Sequence, residues 1–300
     1  MSPGVLHKEM HQILVAVCRR VGLDPSGAEL LRLRSNAVFR LREGVVVRVA
    51  TAPDALPRVV QALEVTRWLA GRGFPTVRPA DVPGQPLLQD GRAVSFWRYV
   101  PAGPGGKPTT RDLGRLLRAL HDQPAPAFEL RRLADPLARV RYAVEHAPGV
   151  LSDRERAWLA DRIAELTEAW DNLRFSSPPA LLHGDGWIDN LLRDPGGRVV
   201  LCDWDSVSVG PREWDLIPTY HGHRRFGLSA ADVEAFADAY GWDLRDWSGY
   251  DTLVQIRELY AIGIHIRNAP ADPFSRRELA VRLDSIMRDD PQVRWHLAEA

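Results

Sequence analysis

The chain reads as an α+β protein of two lobes: a small N-terminal antiparallel sheet carrying a helix, then a larger, mainly helical C-terminal lobe. Three observations carry that reading. The β-branched runs AVFRL (37–41), VVVRVA (45–50) and RAVSFWRYV (92–100) crowd the first hundred residues. PAGPGGKP (101–108) has seven Pro, Gly or Ala among eight residues and reads as a linker. Beyond it, apolar residues recur mostly at helical spacing. The division falls at residues 1–102, ending in a hinge, and 103–300.

Each element has a local cause. Residues 6–22 form a helix closed by Gly22 and followed by Pro25. The runs 37–41 and 45–50 are strands joined across Glu43-Gly44. Residues 54–73 are helical, ending at Gly71 or Gly73. PLLQ (86–89) and 92–100 flank Asp90-Gly91, a strong hairpin signal. Residues 109–123 begin with a Thr cap and place Leu113, Leu116, Leu117 and Leu120 in a stripe. Residues 152–174 form a further helix. PALL (179–182) and RVVLCDWD (198–205) read as short strands, the second following the turn 194–197. Residues 229–240, 251–268 and 274–288 are helical, with Ser229 capping and Gly241 stopping the first of them.

The hydrophobic content of 45% and charged content of 26% are those of a globular chain with room for a real core. There is no apolar run of about 18 residues, so no membrane partner is expected. The opening MSPGVLHKEMHQ lacks the apolar core and cleavage site of a signal peptide. Cys18 and Cys202 lie inside apolar runs, so a disulfide framework is not expected and a reducing cytoplasm fits. Net charge is zero, but residues 1–102 carry +6 and residues 203–300 carry −6. No nucleic-acid partner is expected, and the chain is read as a monomer or homodimer.

HGDGWIDN (183–190) places a His, two Asp and an Asn between the apolar segments 180–182 and 191–192. Buried polar groups are costly unless paired. Flanking strands would draw Asp185, Asn190 and Asp203 together. Asn190 and Asp203 suit a hard divalent ion that also takes phosphate oxygens, and Asp185 would remain free to accept a proton from a hydroxyl. His183 reads as structural, since a hydrolytic His–Asp pair lacks a G-x-S-x-G nucleophile. His221 and His223 lack the further ligands a zinc site needs. Trp204, Trp214, Trp242 and Trp247 read as packing residues.

His183-Gly184-Asp185, Asn190 five residues past that Asp, Asp203-Trp204-Asp205 and GPREWDL (210–216) together resemble the aminoglycoside phosphotransferase family, within the protein-kinase-like fold, over roughly residues 30–270. The resemblance implies ATP between two lobes, Mg²⁺, and a small-molecule hydroxyl acceptor. It implies Asp185 as catalytic base and Asn190 and Asp203 as Mg²⁺ ligands. Asp205 becomes a metal or loop-bracing candidate, and His183 and Asp215 brace the loop. Ser35 and Asn36 fall on the nucleotide-covering turn. Phe96, Trp97 and Tyr99 fall where the hinge backbone meets adenine, and Glu64 falls on the helix whose Glu pairs with the strand cation. That cation is Arg48 where the family usually has Lys, and the only lysines, Lys8 and Lys107, lie elsewhere. Arg keeps the charge but is not equivalent to Lys. A kinase-shaped protein that binds nucleotide or ligand without transferring phosphate is therefore the alternative. A protein Ser/Thr kinase is disfavoured, because no Lys stands two residues after Asp185 and no D-F-G or A-P-E segment occurs. The −6 charge of the C-terminal part points to a cationic acceptor, with Asp238, Asp243, Asp246, Asp251 and Glu258 as candidate contacts.

Overall fold

Side-chain alternation gives the small sheet two buried faces. In the computed structural model, which describes residues 3–147 and 149–297, five strands pair antiparallel in the order β1-β2-β3-β5-β4. They are β1 (Glu29–Leu33), β2 (Asn36–Arg40), β3 (Val45–Ala50), β4 (Leu87–Gln89) and β5 (Arg92–Arg98). Val47 and Val49 join Phe39 and Phe96 in a cluster closed by Met10, Ile13, Leu14 and Val17 of α1 (Pro3–Val21). Val46, Ala50 and Trp97 belong to the opposite face, where α2 (Leu56–Gly71) contributes Val59, Leu63 and Leu69. That second cluster continues without a break into the large lobe.

Both expected hairpins form. Asp90 and Gly91 take φ of 49° and 73°, the pair of positive values that a two-residue turn between β4 and β5 requires. β1 is an addition to the expected set. Its sequence ELLRL has no β-branched residue, and pairing with β2 holds it extended.

The large lobe contains α3 (Thr110–His121), α4 (Ala138–His146), α5 (Asp153–Asn172), α6 (Glu213–Phe226), α7 (Ala230–Tyr240), α8 (Tyr250–Asn268) and α9 (Pro273–Met287). Thr109, Ser152 and Ser229 each close a capping box with Asp112, Glu155 and Asp232, each cap worth about 1 kcal/mol. Two small ladders interrupt the helices: β6 (Ala180–Leu182) with β9 (Ser208–Gly210), and β7 (Leu191–Arg193) with β8 (Val199–Leu201). The strand expected over 198–205 therefore stops at Leu201, and residues 204–206 form a 3-10 turn. α6 begins at Glu213, near the helix-start position that the resemblance gives Asp215, and Pro218 inside it masks its extent in the sequence.

The segment 101–108 has no helix or strand, yet it is pinned to β7. Gly103 N–H donates to the Arg193 carbonyl at 2.9 Å, and Arg193 Nε donates to the Gly106 carbonyl at 3.1 Å. Among the described residues, no helix is long and apolar enough to cross a membrane. Cys18 and Cys202 are both free thiols.

Candidate active site

The octet forms the crossing between β6 and β7, and two glycines let it lie flat on neighbouring backbone. Gly184 has φ of +82°, and a Cβ there would stand 2.0 Å from the Ser206 carbonyl oxygen. A Cβ at Gly186 would stand 2.3 Å from the Asp215 carbonyl oxygen. Asp215, fully buried near the start of α6, accepts the His183 N–H on Oδ2 at 2.6 Å and the Gly184 N–H on Oδ1 at 2.7 Å. His121 Nε2 lies 3.2 Å from the same Oδ2.

The loop is also laced to the end of β8. The His183 ring donates from Nε2 to the Cys202 carbonyl at 2.9 Å and meets Trp204 edge-on at 4.8 Å. Cys202 N–H donates to the Asn190 carbonyl at 2.8 Å. Asn190 Nδ2 in turn donates to the Asp185 carbonyl at 2.8 Å and to Asp185 Oδ2 at 3.2 Å. Asp185 and Asn190 are thus in direct contact, and Asp203 follows the residue bonded to Asn190.

Asp203 itself takes a left-handed backbone, φ 66° and ψ 58°, which costs a non-glycine residue about 1 kcal/mol. Its carboxylate meets the small lobe. Oδ1 accepts from Arg48 Nη2 at 2.8 Å and Oδ2 from Arg32 Nη2 at 2.7 Å. Asp205 Oδ2 accepts from Arg48 Nη2 at 2.9 Å and from Asn36 Nδ2 at 2.7 Å. The three partners come from β1, β2 and β3, adjacent strands of one sheet. Burial opposes the charge on Asp203, but the Arg48 and Arg32 guanidiniums outweigh it and hold its carboxyl well below the usual range. Burial likewise opposes the charge on Arg48, and Asp205 and Asp203 more than restore it. The Cys202 thiol is pushed up to about 12, by burial first and then by Asp203.

The remaining candidates scatter. Ser35 is exposed on the β1–β2 turn, and Asn36 is buried. Tyr99 N–H donates to the Gly44 carbonyl at 2.8 Å, and its ring lies 4.3 Å from the Arg40 guanidinium carbon. Two expectations in the small lobe are corrected. Glu64 is exposed on α2 and makes no ion pair among the described residues, because Arg48 is already committed to Asp203 and Asp205. The second concerns the hinge backbone at Phe96 and Trp97, whose side chains pack on opposite faces of the sheet, Phe96 in the α1 cluster. The backbone at 96–98 is occupied. Phe96 and Arg98 bond to Ala80 and Arg78 on one side, while residues 96–98 pair with β3 on the other.

In the large lobe, Asp238 and Asp243 line an open cavity of about 380 Å³ beside Trp242. Asp243 is held by Arg245 at 2.6 Å and Tyr220 at 3.1 Å. Asp246 and Asp251 are exposed. Glu258 is corrected as an acceptor contact: it is buried and binds Arg225 at 2.5 Å and Arg224 at 2.9 Å. Its neighbour on α8, Arg257, places Nη2 3.7 Å from Asp185 Oδ1. Sequence reading found neither Arg32 nor Arg257, because nothing local distinguishes them from the many other arginines.

Among the described residues, no three His, Cys, Asp or Glu side chains gather into a metal cage. Asn190 and Asp203 bring only hard oxygen donors. That set fits a Mg²⁺ ion that completes its shell with phosphate oxygens and water.

A small antiparallel sheet over a helical lobe, with an Asp–Asn loop at their junction, is the architecture of kinase-like phosphotransferases. An amicoumacin kinase solved in complex with AMP-PNP and Ca²⁺ matches with a TM-score of 0.69 at 13% identity, over 96% of this chain and 97% of that one. An aminoglycoside-3'-phosphotransferase of type VIII matches with a TM-score of 0.61 at 25% identity, over 85% and 98%. A probable ketoamine kinase of Enterococcus faecium (strain ATCC BAA-472 / TX0016 / DO) is 29% identical over 181 residues, 54% of this chain and 62% of that relative, so the match spans less than two thirds of the relative's length. The pattern of the phosphotransferase enzyme family (APH) matches residues 8–253, and the chain belongs to that family.

Proposed function

We propose that this protein is an ATP- and Mg²⁺-dependent small-molecule kinase that transfers the γ-phosphate to a hydroxyl. The observation that carries the reading is the Asp185–Asn190 contact at 3.2 Å, on a loop tied to the residue preceding Asp203. Residues 1–102 act as the nucleotide lobe with a hinge at its end, and residues 103–300 as the catalytic and acceptor lobe. Asp185, with 45% of its side chain exposed, accepts the hydroxyl proton. The acceptor oxygen bonds to the γ-phosphorus as the bridging P–O bond breaks and ADP leaves. Asn190 and Asp203 hold Mg²⁺, with Asp205 beside them; when bound, the ion neutralises phosphate charge. Arg48 and Arg32 bring two guanidiniums to the same place and suit phosphate oxygens by their forked geometry. A similar amicoumacin kinase, solved with AMP-PNP and Ca²⁺, supports nucleotide and divalent-ion use.

The acceptor's charge is a separate matter. The names of similar proteins include a ketoamine kinase and an aminoglycoside phosphotransferase, which favours an amino-bearing acceptor. Against it, Asp243 and Glu258 are already ion-paired, and the charged α8 side chain that reaches Asp185 is a cation.

A specific observation also supports binding without transfer: both oxygens of Asp203 are held by arginines. Calorimetry with ATP in the presence and absence of Mg²⁺, paired with ADP release, separates the two readings. A kinase binds Mg·ATP and releases ADP with an acceptor, and Asp185→Ala keeps the binding and loses the release. Mg·ATP binding with no ADP release from any hydroxyl acceptor leaves the binding protein standing.

A further inference from the structure

We infer that Arg257 forms an anion subsite beside the catalytic carboxylate, so that the acceptor carries a carboxylate or phosphate group next to the hydroxyl it presents to Asp185. The inference rests on the phosphotransfer reading above and names the class of acceptor for it.

The argument is a charge account of one buried layer. α6, α8 and α9 bury Arg225, Arg257 and Arg282 together with Glu258 and Glu278, all at 8% exposure or less. Glu258 is taken by Arg225 at 2.5 Å and by Arg224 at 2.9 Å. Glu278 is taken by Arg282 and by His296, each at 2.9 Å. Both carboxylates are therefore shared between two partners, and neither makes an ion pair with Arg257 among the described residues. Among the described residues, the one carboxylate within ion-pair distance of Arg257 is that of Asp185, 3.7 Å from Nη2, beyond a proper hydrogen bond. Arg257 Nε and Nη1 are buried and have no hydrogen-bond partner. The guanidinium carbon instead lies 4.8 Å from the Tyr260 ring and 5.6 Å from the Trp214 ring. Neighbouring His221 cannot compensate: burial first, then Arg257 and the other arginines, keep it neutral.

A buried guanidinium without a close anion is expensive, and an oxyanion at Nη2 offsets the cost of the charge while Nε and Nη1 stay buried against the rings. The end of Arg257 nearest Asp185 is the one a ligand in the catalytic cleft meets. Two aromatic faces fix the side chain in place, so little ordering is needed on binding. A charge-assisted contact through Nη2 suits carboxylate and phosphate alike. An ammonium group on the acceptor, at the same distance from the reacting hydroxyl, would face like charge.

The test uses four alcohols that share one three-carbon frame: glycerate, glycerol 3-phosphate, glycerol and 3-aminopropane-1,2-diol. ADP release is measured with each, alongside Mg·ATP affinity by calorimetry. The expected result is kcat/KM for an anionic member at least tenfold above glycerol and the aminodiol. Glycerate against glycerol 3-phosphate separates carboxylate from phosphate. Arg257→Met should remove that preference, chiefly through KM, while Mg·ATP affinity stays within twofold. Arg257→Lys should restore part of it, and the retained Mg·ATP affinity reports that both variants fold. Equal turnover across the set, faster turnover of the aminodiol, or no turnover above water-driven hydrolysis, each with Mg·ATP binding intact, overturns this inference alone. Absent Mg·ATP binding in the unaltered protein overturns the kinase reading beneath it.

Discussion

The two sides of the loop 183–190 close their charges in opposite ways. On the small-lobe side, Asp203 and Asp205 meet Arg48, Arg32 and Asn36 at 2.7–2.9 Å, so carboxylates and donors satisfy one another. On the large-lobe side, Arg257 has two buried nitrogens without partners and only a distant carboxylate. In the first arrangement the carboxylates and cations neutralise one another, so a phosphate or metal ion that binds there exchanges with an existing ion pair. The second holds one charge ready and leaves its partner to be supplied. A buried ion pair contributes little net stability, whereas breaking one is costly, so the two sides should respond differently to substitution.

Asp185 lies between the sides, and its loss is expected to have the largest effect. Asp185→Ala should lower kcat by roughly 10³-fold, the usual scale for a general base, with Mg·ATP affinity little changed by calorimetry. A fall in Mg·ATP affinity of the same size would move Asp185 onto the nucleotide side of the comparison. Next comes Asp215→Ala, which orphans the buried N–H groups of His183 and Gly184. Urea unfolding should show a loss of about 3 kcal/mol, together with reduced kcat; unchanged stability would mean that the loop holds itself.

Arg48→Ala tests the matched side directly, since it leaves Asp203 and Asp205 short of a cation. A loss of about 2 kcal/mol is expected, below the range for fully buried pairs because Asp203 keeps 21% side-chain exposure. Arg48→Lys should recover part of it. No destabilisation would show that the ion cluster is not what holds this side together.

The charged layer behind Arg257 gives a pH test. Burial first, and then Arg282, lowers the pKa of His265 to about 4. The unfolded chain, with an ordinary value near ~6.5, takes up the proton sooner, so acid favours unfolding. The contribution of this histidine is complete above its unfolded pKa and declines between pH ~6.5 and the folded value. Going from pH 7 to pH 5 should cost about 2 kcal/mol from this group. Denaturation curves of His265→Gln should show a flatter slope over that window, and an unchanged slope would place the pH response elsewhere. The smallest effect belongs to Glu64→Ala. With Glu64 exposed and Arg48 already paired, stability should change by less than about 0.5 kcal/mol. A tenfold loss of nucleotide affinity would mean that Arg48 changes partner when nucleotide binds.

The amino-acid order alone determined the features whose cause lies within a few residues. Asp90-Gly91 names its own turn, Thr109 and Ser229 name the helices they cap, and the β-branched run 45–50 names its own strand. The octet was legible for the same reason: glycines and hydrogen-bonding side chains packed into eight residues between apolar strands announce a braced loop. What only the tertiary structure decided is which charge meets which. Arg48 finds Asp203 across 155 positions in the chain, and the expected Glu64 partner, sixteen positions away on α2, points to solvent. β1 extends because β2 is beside it, and Phe96 faces α1 because a strand's register sends alternate residues to opposite sides. Arg257 is left with only Asp185, at 3.7 Å, because Glu258 of its own helix is taken by Arg224 and Arg225 of α6, and Glu278 of α9 by Arg282 and His296. Turns, caps and pleats are fixed by short-range sterics and hydrogen bonds, whereas ion pairing in the interior depends on how distant helices pack, which no local pattern encodes.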